Sequence, residues 1–136
     1  MKHIDVVPLT RRSLLGQYLV GKIINVGCDI DIISTPNSVN VDNRTVEEIK
    51  KQAKMPDLVI PNFVEADAHD LSIFKDLEFD TALLSEGVEH LDDPIKALNE
   101  VQRIASLVLI SVPNEWQWDK KFKPFTNPGH KHLFTE

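Results

Sequence analysis

"KIINVGCDIDIISTPNSVNVDN", residues 22–43, decides the fold. It opens with a β-branched run, Ile23 to Val26, that stops at Gly27. It closes with a second short run, Val39 to Val41, that stops at Asp42. Short apolar runs bounded by glycine and turn residues read as buried strands, and Pro36-Asn37 supplies turn chemistry between them. Strands that are apolar throughout are covered on both faces, as in a parallel sheet. A parallel connection usually runs through a crossover helix of a dozen or more residues. The span from Gly27 to Val39 is too short for a loop plus such a helix, so a loop or single turn is expected in its place.

Outward from this stretch, strands and helices alternate. Upstream, Leu14, Leu15, Tyr18 and Leu19 fall at helical spacing, with Thr10 as N-cap and Gly21 as terminator. Downstream, "TVEEIKKQAK" carries a capping box, Thr45 with Glu48, ahead of an apolar face of Val46, Ile49 and Ala53. "NFVEAD" is a third strand and "FDTALLS" a fourth. Asp92 or Asp93 then caps a helix with Pro94 in its first turn and a stripe of Ile95, Leu98, Val101 and Ile104. "SLVLISVPN" is a fifth strand. This alternation predicts an α/β fold: a parallel sheet of about five strands with helices on both faces. One domain is expected over residues 1–136, with an N-terminal helix region at 1–21, a core at 22–114 and an irregular tail at 115–136.

Composition narrows the function. The 136 residues are 42% hydrophobic and 26% charged, as in soluble globular proteins. A net charge of −6 argues against broad binding to DNA, leaving a local basic patch at Lys120, Lys121, Lys123 and Lys131. The single cysteine, Cys28, rules out an internal disulfide and suits a reducing compartment. No run approaches the ~20 apolar residues of a membrane span, and the start lacks the apolar core of a signal peptide. A cytoplasmic protein without membrane contact is expected.

In an open parallel sheet, ligands bind beyond the carboxyl ends of the strands. Successive strand ends here read Gly27-Cys28-Asp29, Asp42, Asp67 and Ser85-Glu86. An acid after the second strand can accept from two ribose hydroxyls, and an acid after the third from an exocyclic amine. A dinucleotide fingerprint would need glycines at positions 29 and 32, where Asp29 and Ile32 stand. A pyrophosphate beside Asp29 and Asp31 would meet like charge, whereas a cationic ligand would not.

These residues resemble the class I S-adenosylmethionine-dependent methyltransferases of the type 11-like group. "INVGCDID…VNVDN", "FVEADAHDLSIF" and above all "FDTALLSEGVEHLDDPIKALNEVQRI…LVLISVPN" carry the resemblance, from about Lys22 to Asn114. It implies a Rossmann-like sheet, truncated relative to the usual seven strands of that fold. It implies S-adenosylmethionine as cofactor and methyl transfer to an unidentified acceptor: a small molecule, a protein or an RNA. Carried over, Gly27 and Cys28 let the backbone approach the methionine moiety, Asp42 holds the ribose, Asp67 and Ala68 face the adenine, and Ser85 and Glu86 line the methionine end. Some members bind a divalent metal through Glu-x-x-Glu-His, which Glu86, Glu89 and His90 match, with His130 or His132 completing the set. Mg²⁺, Mn²⁺ or Zn²⁺ would suit such ligands. The alternative is that Glu89 and His90 only shape the turn, or that His90 or His130 is a general base. His69 is read as a surface pair with Asp70. Trp116 and Trp118 either line a substrate pocket or pack over the sheet edge. Two function classes stand: an active methyltransferase, and a non-catalytic binding or assembly module on the same fold. The open edge of the fifth strand makes a homodimer an expectation.

Overall fold

The computed structural model describes residues 15–85, 87–112 and 131–132. Five strands form one sheet: β1 (Ile23–Val26), β2 (Ser38–Asp42), β3 (Phe63–Glu65), β4 (Phe79–Ser85) and β5 (Ala105–Ser111). Their order is β3-β2-β1-β4-β5, and every pairing is parallel. Among the described residues, two α-helices lie between the strands, α1 (Val46–Ala53) and α2 (Pro94–Ile104), with a short 3-10 turn at Val88–His90. The order reverses at β1, which pairs with β2 on one side and β4 on the other. At such a switch point the loops leaving the two strands run apart and open a crevice at their carboxyl ends. This is the Rossmann-like fold expected from the sequence.

Alternation along the strands divides the interior. Ile24, Val26, Val41, Ala82 and Leu84 cluster with Val101 and Ile104 of α2. Ile23 and Leu83 cluster instead with Ile33, Leu15 and Leu19. Ile49 of α1 meets Cys28, Ile60 and Phe63, while Val64, the next residue of β3, packs against the α2 cluster. The two helices therefore cover opposite faces. Both begin as the sequence indicates. Thr45 caps α1 in a full capping box with Glu48, and Asp93 caps α2, its side chain accepting from Lys96 N ahead of Pro94. The apolar stripe of α2 differs from expectation. Ile95 is exposed and Ala97 is buried, because the helix turns its Ala97-Val101-Ile104 row onto the sheet.

Two connections lack a helix, and polar side chains do the holding. Between β1 and β2, the side chain of Asn40 is fully buried and makes four hydrogen bonds. Its Oδ1 accepts from Asn25 Nδ2 and Ile33 N, and its Nδ2 donates to Ile33 O and Pro61 O. Asn25 also donates to Asp31 O at 2.7 Å. Asn25 and Asn40 are cross-strand partners, so the pair ties the irregular chain onto a face a helix would otherwise cover. Between β3 and β4, Arg103 of α2 donates to the carbonyls of Leu71 and Phe74 and to Asp76, and is itself steadied by Glu100. Buried backbone groups need partners wherever no helix supplies them, and these side chains provide them.

Candidate functional site

The carboxyl ends of β1, β2, β3 and β4 enclose a groove of about 470 Å³. Val26 and Gly27 form its floor at the end of β1. Asp42 and Arg44 line it after β2, Asp67, Ala68 and His69 after β3, and His90 and Asp92 beyond β4. Gly27 has φ +69, and a Cβ added there would meet no atom within 4 Å, so the loop leaves the backbone bare. Asp29 also sits in the left-handed region, at φ 45. Aspartate tolerates this better than most residues, and it stands where a dinucleotide fingerprint would place glycine.

The two strand-end acids share one local device. Each accepts from the backbone N–H two residues on, an Asx turn: Asp42 Oδ1 from Arg44 N at 3.1 Å, and Asp67 Oδ1 from His69 N at 2.9 Å. The turn folds the side chain of residue i+2 back onto the acid. Arg44 thus forks Asp42, Nε to Oδ1 at 2.9 Å and Nη2 to Oδ2 at 3.0 Å. His69 Nδ1 meets Asp67 Oδ1 at 2.6 Å. His69 Nε2 accepts from Asp93 N, so the ring carries its proton on Nδ1 and spans from β3's end to the start of α2. His69 pairs with Asp67, not with Asp70 as the sequence suggested, because Asp70 makes its own Asx turn with Ser72. Burial pushes the Asp42 carboxyl up, but the hydrogen bonds from Arg44 and Asp29 outweigh it and the net shift is downward. The hydrogen bond from His69 N leads in lowering Asp67.

The sequence profile of a methyltransferase domain family matches residues 33–106. The chain belongs to that family. Among solved structures, it is similar to a SAM-dependent methyltransferase of Thermotoga maritima, named as a possible histamine N-methyltransferase. The identity is 23% and the TM-score 0.50, over 70% of this chain and 47% of that one. A SAM-dependent methyltransferase of Aquifex aeolicus aligns at 16% identity and TM-score 0.49, over 69% of this chain and 57% of that one. The chain spans about half the length of these solved proteins. No curated protein matches it.

Within this methyltransferase domain, four of the residues singled out in the sequence, Gly27, Asp42, Asp67 and Ala68, meet around the one groove, and His90 joins them. Cys28 does not. Its side chain is buried with Ile49 and Ile60, and burial, followed by Asp42 and Asp29, pushes its thiol up to about 12. Ser85 lines a separate, mostly apolar cavity of about 430 Å³ with Asp31, Ile33, Leu15 and Leu83. Glu86, His130, Trp116, Trp118 and Lys120 to Lys123 lie outside the described residues. Glu89 is buried with His90 Nε2 at 3.7 Å from its carboxylate, and its backbone carbonyl accepts from Lys131 N and His132 N. His132 Nε2 lies 2.8 Å from Leu91 O. Among the described residues, no three His, Cys, Asp or Glu groups gather to hold a metal, and no helix is long and apolar enough to cross a membrane.

Arg44, the Asp67 partner of His69 and the Asn25–Asn40 pair are not anticipated from the sequence. For the first two the signal was present: an acid ending a strand, with a hydrogen-bonding side chain two residues later. Asn25 and Asn40 each interrupt an otherwise apolar strand, which marks a buried amide in need of a partner.

Proposed function

We propose that the protein is an S-adenosylmethionine-dependent methyltransferase and that the groove is its nucleoside site. The observation that supports this best is the convergence of Gly27, Asp42, Asp67 and Ala68 on one crevice at the switch point of the sheet. The residues present fit the cofactor: a bare backbone at Gly27, a strand-end acid for ribose, and a second acid whose Oδ2 has no donor among the described residues. When bound, S-adenosylmethionine supplies a methyl group on a sulfonium for in-line displacement by the acceptor. Gly27 lets the ligand lie against the backbone, Asp67 and Ala68 take the adenine edge, and Asp42 takes the ribose. Four aspartates line the groove against Arg44 and Lys131, so a cationic ligand is favoured over a pyrophosphate. His90, on the groove rim, takes the acceptor's proton when the nucleophile is a hydroxyl.

A second reading has one observation in its favour. Arg44 already occupies Asp42, as it would in a binding or assembly module that no longer takes a cofactor. Isothermal titration with S-adenosylmethionine and S-adenosylhomocysteine tests the first reading: saturable binding is expected, and no binding at high micromolar ligand by either the wild-type chain or Arg44→Ala overturns it. Transfer of a labelled methyl group to any small-molecule, protein or RNA acceptor removes the second.

A further inference from the structure

Asp42 is 4% exposed, and a carboxylate offers about four acceptor positions. All four are filled by the chain itself. Oδ1 accepts from Arg44 N and Arg44 Nε, and Oδ2 from Asp29 N and Arg44 Nη2. A ribose diol therefore finds no acceptor on this acid while the fork stands. We propose that Arg44 is a latch on the nucleoside site: its guanidinium and a vicinal diol compete for the same two oxygens of Asp42, and the chain selects ligands that carry that diol.

The inference rests on the groove being a nucleoside site, and it adds how that site chooses its ligand. The fork contributes two side-chain donors, and a diol brings two donors to replace them. A ligand lacking the diol must either leave the fork closed or leave the buried carboxylate short of partners, and the latter is costly. The guanidinium has somewhere to go. Nη1 donates to Gln52 Oε1 at 2.6 Å and Nη2 to Asp29 Oδ1 at 3.0 Å, so it can pivot on those partners at the groove mouth. The Asp29 and Arg44 backbone N–H groups stay on Asp42 throughout, holding the acid in place. A competing intramolecular pair reduces apparent affinity by the fraction of molecules in which it is open.

The test is titration of the wild-type chain and Arg44→Ala with S-adenosylhomocysteine and with 2′,3′-dideoxyadenosine, with circular dichroism to check folding. The expected result is S-adenosylhomocysteine bound about tenfold tighter or more by Arg44→Ala, with no gain for the dideoxynucleoside. Equal or weaker binding of S-adenosylhomocysteine by a folded variant, or an equal gain for both ligands, overturns the latch and leaves the nucleoside site standing. If neither protein binds S-adenosylhomocysteine, the nucleoside reading falls and the latch with it. Should Arg44→Ala not fold, a crystal structure of the wild-type chain with S-adenosylhomocysteine decides: Arg44 displaced from Asp42 supports the latch, and an intact fork overturns it.

Discussion

Replacing Asn40 by alanine tests whether a buried amide does the work of a missing crossover helix. The side chain makes four hydrogen bonds, and truncation affects their partners unequally. Asn25 Nδ2 keeps Asp31 O, and Ile33 O keeps the Ser38 hydroxyl at 2.9 Å. Ile33 N and Pro61 O lose the only partners they have among the described residues. A buried polar group left unsatisfied costs about 1–3 kcal/mol. Pro61 is half-buried, so water recovers part of its loss. The expected destabilisation is about 2–4 kcal/mol, a large share of the ~5–15 kcal/mol typical of a domain. With a urea m-value of about 1–3 kcal/mol/M, the midpoint should fall by roughly 1–2 M at unchanged slope. Asn40→Asp should not rescue it, since a carboxylate would face the carbonyls of Ile33 and Pro61. Exposed Asn43→Ala, next but two along the chain, should stay within about 0.5 kcal/mol. A loss below about 1 kcal/mol for Asn40→Ala would mean that the 27–37 connection is held by something else, and the account of the helix-less crossover would be wrong.

Three further outcomes are expected. Gly21→Ala should destabilise more than Gly27→Ala in thermal melts. Both glycines have positive φ, worth about 1–2 kcal/mol against alanine, but the Cβ at Gly21 would sit 2.0 Å from Asp80 Oδ2, the acceptor for Lys22 N, whereas at Gly27 it meets nothing; equal losses would refute the contact. Arg103→Lys should lower the melting temperature nearly as far as Arg103→Ala, because one ammonium cannot reach the Leu71 and Phe74 carbonyls and both acids together; near-complete rescue by lysine would show that charge alone matters. The pH dependence has a definite sign. The folded pKa of Asp42 lies below its ordinary value of 3.8, so its contribution is full above that pH and is lost as pH falls through the folded value. In Arg44→Ala the leading cause of that lowering is gone while burial remains, so urea midpoints between about pH 5 and 2 should drop less steeply than in the wild type; parallel curves would refute it.

The strands were legible because each is a short, mostly apolar run closed by a glycine, an acid or, after β5, Pro113-Asn114, and β4 begins and ends where the sequence places it. The α1 cap was legible for the same reason: Thr45 and Glu48 act within one turn, so their spacing carries all the information. What escaped was contact made at a distance or chosen among near neighbours. Asn25 and Asn40 meet only because β1 and β2 pair in one register, and sequence does not print the register. His69 has an aspartate at 67 and another at 70. Backbone geometry decides between them, since Asp67 reaches forward to His69 N and Asp70 reaches forward to Ser72 N. Ile95 shows the converse limit: an apolar residue at helical spacing is core only if the helix turns that face inward.

The same local geometry changes what the row of acids means. Read as letters, Asp29, Asp42 and Asp67 are open carboxylates waiting for a cation, and Asp92 is a candidate helix cap. In the fold, Asp29 and Asp42 share Arg44, Asp92 pairs with Lys131, and Asp67 leans on a neutral His69. With the histidines neutral, the aspartates outnumber the cations by two along the groove. That residue of negative charge still repels a pyrophosphate, and the left-handed Asp29 still denies it a glycine cradle. It is a weak attraction for a sulfonium, because most of these groups are exposed and screened. Discrimination must then come from directed hydrogen bonds rather than from charge. The acid best shielded from solvent, Asp42, is the one whose partners are all accounted for, and any ligand that uses it has to replace a bond the chain already makes.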